Sequence, residues 1–296
     1  MGKLGYRRGQ ILKAYFFVLP VLALVAIFIF VPMIATFIFS LLEYDGIRTP
    51  HFIGWNNFLR ILRDPLTWKS LRVTIYYLIG TLPIAIALGF LLANVLVREW
   101  LGKAQSLFLS SYFVPYVLSY VAVGFLWAWL LDPLVGVVNY FLSLVGVAPQ
   151  AWMRDPVLAM PSIWLIATWK HLGFFLVMYI AAVQSVPEVY YEAARVDGIR
   201  TWWQEIRYIT WPLTRPTTFF LTAMGFIGAM SVFDIVYVTT KGGPANLTKT
   251  VVIKIYEDAF IKLRFGEASA TTIILLLIML FGIYYQWKYY TSILEK

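Results

Sequence analysis

The sequence predicts an all-α integral membrane protein of six transmembrane helices, and three observations carry that prediction. Of 296 residues, 61% are hydrophobic and 13% charged, with a mean hydropathy of +0.76. A water-soluble domain lies nearer half apolar and a quarter charged. Uncharged or nearly uncharged runs long enough to cross a bilayer, about 20 residues at helical rise, occupy 14–42, 73–97, 104–131, 156–187, 216–240 and 268–290. The connections between them are too short for a soluble catalytic domain, and the runs lack the alternation of barrel strands. Residues 1–296 are therefore expected to form a single transmembrane domain.

The first run follows Lys3, Arg7, Arg8 and Lys13, with no acidic residue among them, and precedes Glu43 and Asp45. That asymmetry predicts a cytoplasmic N-terminus, and six spans return the C-terminus to the same side. Lysine and arginine otherwise divide almost evenly, so the charge rule rests on the N-terminus alone. The run lacks a small-residue cleavage site and is too long for a signal peptide, so it is expected to be retained. Between the third and fourth runs, 133–153 is uncharged but interrupted by Gly136, Asn139, Gly146 and Pro149. Its best stretch, 134–147, is too short to span and reads as an interfacial or re-entrant helix.

After the fourth run, Pro187 suits a first helical turn, with Glu188 at the positive dipole end. That helix is expected to reach about Val196, where Asp197-Gly198 signals a turn. A second helix places Trp202, Ile206 and Ile209 on one face and is expected to stop at Pro212. The result is a helix–turn–helix elbow. Beyond the fifth run, 251–265 reads as amphipathic, with Val252, Tyr256, Phe260 and Leu263 on one face and Lys254 and Asp258 spaced to pair on the other. It is either an element packed on the rim of the bundle or a surface for an external protein.

The chemistry-bearing residue types are sparse. Cysteine is absent, and His51 and His171 are the only histidines. No metal-ligand spacing and no phosphate-binding glycine loop occurs, so no catalytic group, no metal, no cofactor and no ATP hydrolysis are expected of this chain. The net charge of +9 is scattered through the loops without a basic stripe, which argues against nucleic acid.

The elbow, 188–215, resembles the coupling loop of bacterial and archaeal ABC-importer permeases. Glu192, Ala193, Ala194, Asp197 and Gly198 match that pattern in register; Ile209 and Pro212 match after one extra residue, and Trp211 replaces the usual leucine. Ile53-Gly-Trp-Asn-Asn-Phe58, Asp64-Pro65, Trp169, Gly173-Phe174, Gln184-Ser-Val-Pro187 and Tyr256, Phe260, Gly266, Ala268-Ser-Ala270 are similar to the carbohydrate branch. Phe233-Asp234 with Thr240-Lys-Gly-Gly-Pro244 resembles the larger maltose-permease subunit type, without its extra N-terminal spans or large external insertion. The resemblance implies the type I permease fold and a cell-membrane location in a bacterium or archaeon. It implies a second permease subunit, two cytosolic ATPase subunits, an external substrate-binding protein and a sugar cargo. The elbow would dock on the ATPase from inside, Ala193 and Ala194 allowing close approach, Glu192 and Arg195 supplying polar contacts, and Asp197-Gly198 making the turn.

Polar groups within spans usually face a cavity. Lys170-His171 and Ser231 with Asp234 are the leading candidates; Asn94, Ser110, Ser111 and Ser119 are weaker. Trp169, Phe174, Phe233 and Tyr237 lie near them and would cover the apolar faces of a sugar, although rings in such a chain also pack between helices or face lipid. The expected pathway set is Trp169, Gly173, Phe174, Ser231, Asp234 and Tyr237, with Asp234 alternatively pairing with Lys241. A polyol or glycerol phosphate is the alternative cargo. A secondary transporter is the alternative mechanism; it would need coupling carboxylates at mid-membrane, for which only Asp234 qualifies, or paired broken helices.

Overall fold

The computed structural model describes residues 15–97 and 104–294. Lys3, Arg7, Arg8, Lys13, Ala14 and Lys296 lie outside the described residues. Among the described residues, the regular elements are helical apart from one two-stranded ribbon. Four helices among the described residues are long and apolar enough to cross a membrane: α1 (Tyr15–Ser40), α3 (Pro65–Leu96), α7 (Ala159–Gln184) and α13 (Phe265–Leu294), the last qualifying over Phe265–Ser292. A fifth candidate is a bent pair. The backbone contacts divide the chain into two compact units, Met1–Asp64 with Ile255–Ile274, and Pro65–Lys254 with Leu275–Lys296.

In the first unit, the most apolar window of α1 buries none of its residues. Such a helix is stable only in lipid or against another protein. β1 (Leu42–Glu43) pairs antiparallel with β2 (His51–Phe52). Between them Asp45 accepts hydrogen bonds from the Ile47 and Arg48 amides at 3.0 and 2.8 Å, which hold its carboxyl below the usual carboxylate range. α2 (Asn56–Arg63) starts in the Ile53–Phe58 motif. There the buried Asn57 donates to the carbonyls of Ser40 and Leu42 at 2.9 and 2.8 Å, tying α2 to the end of α1. Arg60 lies 3.2 Å from Glu43 and 3.8 Å from Glu267.

In the second unit, α3 packs along α7, with α4 (Ala104–Val117), α5 (Tyr120–Leu130) and α10 (Arg215–Met230) around them. Lipid supplies no hydrophobic drive between helices, so close approach depends on small residues. Gly173 illustrates this: a Cβ there would collide with the Tyr112 carbonyl and the Phe113 backbone on α4.

Two expected spans are not single helices. Segment 104–131 is α4 and α5, bent by 104°. Pro115 lies near the end of α4, and Ser119 caps α5 by accepting from the Ala122 amide at 3.1 Å. Segment 216–240 is α10, a turn at 231–233, and the short α11 (Asp234–Thr239). At 1.5 Å per residue, the sixteen residues of α10 reach about 24 Å, short of a bilayer core of about 30 Å. Segment 134–147 contains only α6 (Val137–Leu144). Asn139, read as an interruption, is its anchor. The side chain is buried, accepts from the Gln150 amide and the Trp152 indole at 3.0 Å each, and donates to the Gln150 and Asp132 carbonyls. After α11, Lys241 and Gly242 both have positive φ, which explains the Lys-Gly-Gly-Pro turn. Helix α12, residues 251–261, ends in a π turn, and Asp258 pairs with Lys262 at 2.7 Å.

Candidate functional site

Two adjoining cavities lie in the second unit. Helical spacing creates their walls, because residues three and four apart share a face. Tyr77 and Thr81 come from α3, Thr168, His171 and Phe174 from α7, and Gly228 from α10; with Tyr116 and Tyr120 they line a cavity of about 250 Å³. The second cavity, about 190 Å³, shares Tyr77, Tyr120, His171 and Gly228 and adds Ser231, Phe233 and Asp234 where α10 gives way to α11.

Most polar groups on these walls have a fixed partner. The His171 Nδ1 lies 2.7 Å from the Ala167 carbonyl, so it carries the proton in the neutral ring. Nε2 then accepts from the Tyr120 hydroxyl at 2.9 Å. Thr81 donates to the Tyr77 carbonyl and Ser231 to the Ile227 carbonyl. The Thr168 hydroxyl is buried with no hydrogen-bond partner, an arrangement that suits a bound polar cargo or water. Phe174 stacks on Tyr116 with centroids 5.2 Å apart, and Phe233 on Tyr237 at 4.9 Å.

Of the expected pathway residues, Phe174, Ser231 and Asp234 line these cavities. Trp169 instead packs edge-on against Trp127 in the core, Gly173 sits at the contact with α4, and Tyr237 backs Phe233. Lys170 turns away from both walls. Its buried ammonium donates to the carbonyls of Pro115, Tyr116 and Leu118 at 3.3, 3.0 and 2.6 Å, and lies 4.3 Å from the Tyr120 ring centroid. Sequence reading missed Tyr77, Tyr120 and Gly228, whose only signal is their i, i+4 or i, i+3 relation to other small or polar residues.

The elbow forms a second candidate site. α8 (Glu188–Val196) begins after Pro187 and ends in a Schellman turn: the Gly198 amide donates to the Arg195 carbonyl and Ile199 to Ala194, at 3.2 and 2.9 Å. Gly198 has φ +94° and nothing within 4 Å of a Cβ position. α9, residues 202–213, opens with a capping box in which Thr201 accepts from the Gln204 amide and Gln204 from Thr201. The sequence motif Thr-x-x-Gln carries that signal, which the periodicity of the apolar residues does not contain. α9 passes Pro212 instead of stopping there. A π turn, Ile206–Thr210, directly precedes Trp211–Leu213 and carries the helix past the proline. Ile206 is buried in the core and Ile209 is also buried. Arg195 bridges the two helices, 3.4 Å from both Glu188 and Glu205. Ala193 and Ala194 differ: Ala194 is buried, while Ala193 joins Val189, Tyr190, Glu192 and Val196 on the exposed face.

Apolar helices long enough to span a bilayer, around a cavity lined by rings and a few polar groups, with an amphipathic elbow beside them, are the architecture of a membrane transport protein. Residues 85–289 match the family described as binding-protein-dependent transport system inner membrane component. The chain belongs to that family, and as a permease component of an ABC transporter it is not itself an enzyme. It is 33% identical to the lactose transport system permease protein LacF of Rhizobium radiobacter, over 86% of this chain and 85% of that one. To the sn-glycerol-3-phosphate transport system permease protein UgpA of Agrobacterium fabrum it is 31% identical, over 93% of each. Its fold matches a chain of a bacterial ABC transporter involved in the import of the acidic polysaccharide alginate, with TM-score 0.83 and 24% identity over 97% of this chain and 99% of that one.

Proposed function

We propose that this chain supplies half of the translocation path for a sugar or oligosaccharide delivered by an external binding protein. It pairs with a second permease subunit and is driven by two cytosolic ATPase subunits. The observation that carries the reading is the cavity walled by Tyr77, Tyr120, His171 and Phe174 and continuing to Ser231 and Asp234. Rings cover the apolar faces of a sugar while hydroxyls and a carboxylate meet its edges. The lactose relative supports that cargo class. The bent pair α4–α5 and the pair α10–α11 each count as one broken span in this reading, giving six spans with both termini cytoplasmic. Broken helices at membrane depth are tolerated where they line a cavity.

The elbow is the coupling device. Val189, Ala193 and Val196 form an exposed apolar stripe at i, i+4 and i+7, a face suited to a cleft on the ATPase. Arg195 is engaged within the elbow, and Glu192 is an acidic group on its exposed face. Alternating access follows: closure of the ATPase dimer displaces the elbow, and the bundle opens outward.

Two measurements test this. The chain is naturally free of cysteine, so Ala193→Cys and Ala148→Cys can be labelled singly with an impermeant reagent in intact cells. Labelling is expected at 148 and not at 193; the reverse pattern would invert the orientation. Gly198→Val should add about 1–3 kcal/mol of local strain and uncouple uptake from ATP hydrolysis. Gly198→Asn should preserve coupling, since asparagine tolerates the left-handed region and the space is open. Full coupling in the valine variant of the reconstituted importer would remove the elbow's assigned role.

A further inference from the structure

The relatives named above leave the charge of the cargo open, since one is named for lactose and another for glycerol 3-phosphate. We infer that the half-path supplied by this chain passes uncharged polyhydroxyl cargo and disfavours phosphorylated or carboxylated cargo, with Asp234 setting the selectivity. This rests on reading the paired cavities as the cargo path.

A phosphate or carboxylate brings only acceptors and negative charge, so it requires donors, arginine or lysine above all. The cavity at the α10–α11 turn offers the opposite. Asp234 contributes a carboxylate. The Ser231 hydroxyl gives its proton to the Ile227 carbonyl, and the Tyr120 hydroxyl gives its proton to His171, so both face the cavity with lone pairs. His171 has no nitrogen left, because Nδ1 is spent on Ala167. Among the described residues lining either cavity there is no lysine or arginine. Lys170, beside His171 on α7, has three N–H groups and three carbonyl partners. The Thr168 hydroxyl can still donate, but it carries no charge. A wall of acceptors and neutral hydroxyls with one carboxylate complements a neutral sugar or polyol and repels an anion.

The test needs no knowledge of the cargo. Ser231→Cys places a single thiol in the full-length, otherwise cysteine-free chain. In detergent, its modification rates with cationic and anionic thiosulfonate reagents of matched size are compared. The ratio cancels any effect of the neighbouring carboxylate on the thiol itself. A water-accessible carboxylate within several ångströms should favour the cation about tenfold, and adding Asp234→Asn should bring the ratio near one. Equal rates in the single-thiol protein, or a ratio that Asp234→Asn leaves unchanged, would overturn the inference. Uptake of glycerol 3-phosphate by the assembled importer in vesicles would also overturn it and leave the importer reading standing. A tenfold ratio in a chain whose assembled complex moves no solute with ATP would overturn the importer reading, and the cargo assignment with it, while leaving Asp234 as the charge at the cavity.

Discussion

Gly228→Phe is expected to abolish uptake without harming the fold. Gly228 lies in α10 and lines both cavities, and a Cβ built there meets nothing within 4 Å. A large side chain therefore enters space that no packing contact claims. Unlike an insertion into a filled core, it forces no neighbour off its rotamer. Glycine in a helix interior is the less favourable residue by about 1 kcal/mol against alanine, so Gly228→Ala should raise thermal stability slightly and retain transport. The phenylalanine variant should match the parent in yield and melting temperature, with uptake at background. Parent-level uptake by the phenylalanine variant would place the path elsewhere in the assembly.

The contrast with Gly173 shows why residue type alone does not locate a path. Both glycines lie in apolar helices. One permits α4 to touch α7, and the other leaves a hollow; only the neighbouring helix distinguishes them. The same limit applies to the rings. Phe174 and Trp169 are five positions apart on α7, and the first faces the cavity while the second packs on Trp127.

The long apolar runs made the principal helices legible, and the elbow's turn was legible because glycine at φ +94° answers a local steric rule. The breaks were not. Hydropathy reads straight through Leu118-Ser119 and Ser231–Phe233, since a polar backbone exposed by a break leaves no trace in side-chain hydrophobicity. Pro115 with Ser119 was a usable local sign of the first break. The partner that stabilises it, Lys170, lies more than fifty residues away and is beyond any pattern of local spacing. Asn139 was misread for a similar reason: its four hydrogen bonds reach to Asp132, Gln150 and Trp152, outside α6.

Lys170→Met is expected to destabilise the protein more than any change on the cavity walls. α4 ends before the 104° bend, so its last carbonyls lack the amides that a continuing helix would supply. The Lys170 ammonium answers the carbonyls of Pro115, Tyr116 and Leu118 together and rests against the Tyr120 ring, linking the two arms of the bend to α7. Methionine matches the length of the stem but leaves the buried Pro115 carbonyl and the partly buried Tyr116 and Leu118 carbonyls without this donor, a loss of about 1–3 kcal/mol for a fully buried group and less for the others. The melting temperature in detergent should fall markedly, with transport falling because Tyr116 and Tyr120 no longer hold the cavity wall. If Lys170 were instead a cargo ligand, the same substitution would weaken the concentration dependence of uptake and leave the melting temperature unchanged. That second outcome would place a free cation on the path and overturn the assignment of Lys170 as the residue that holds the bend.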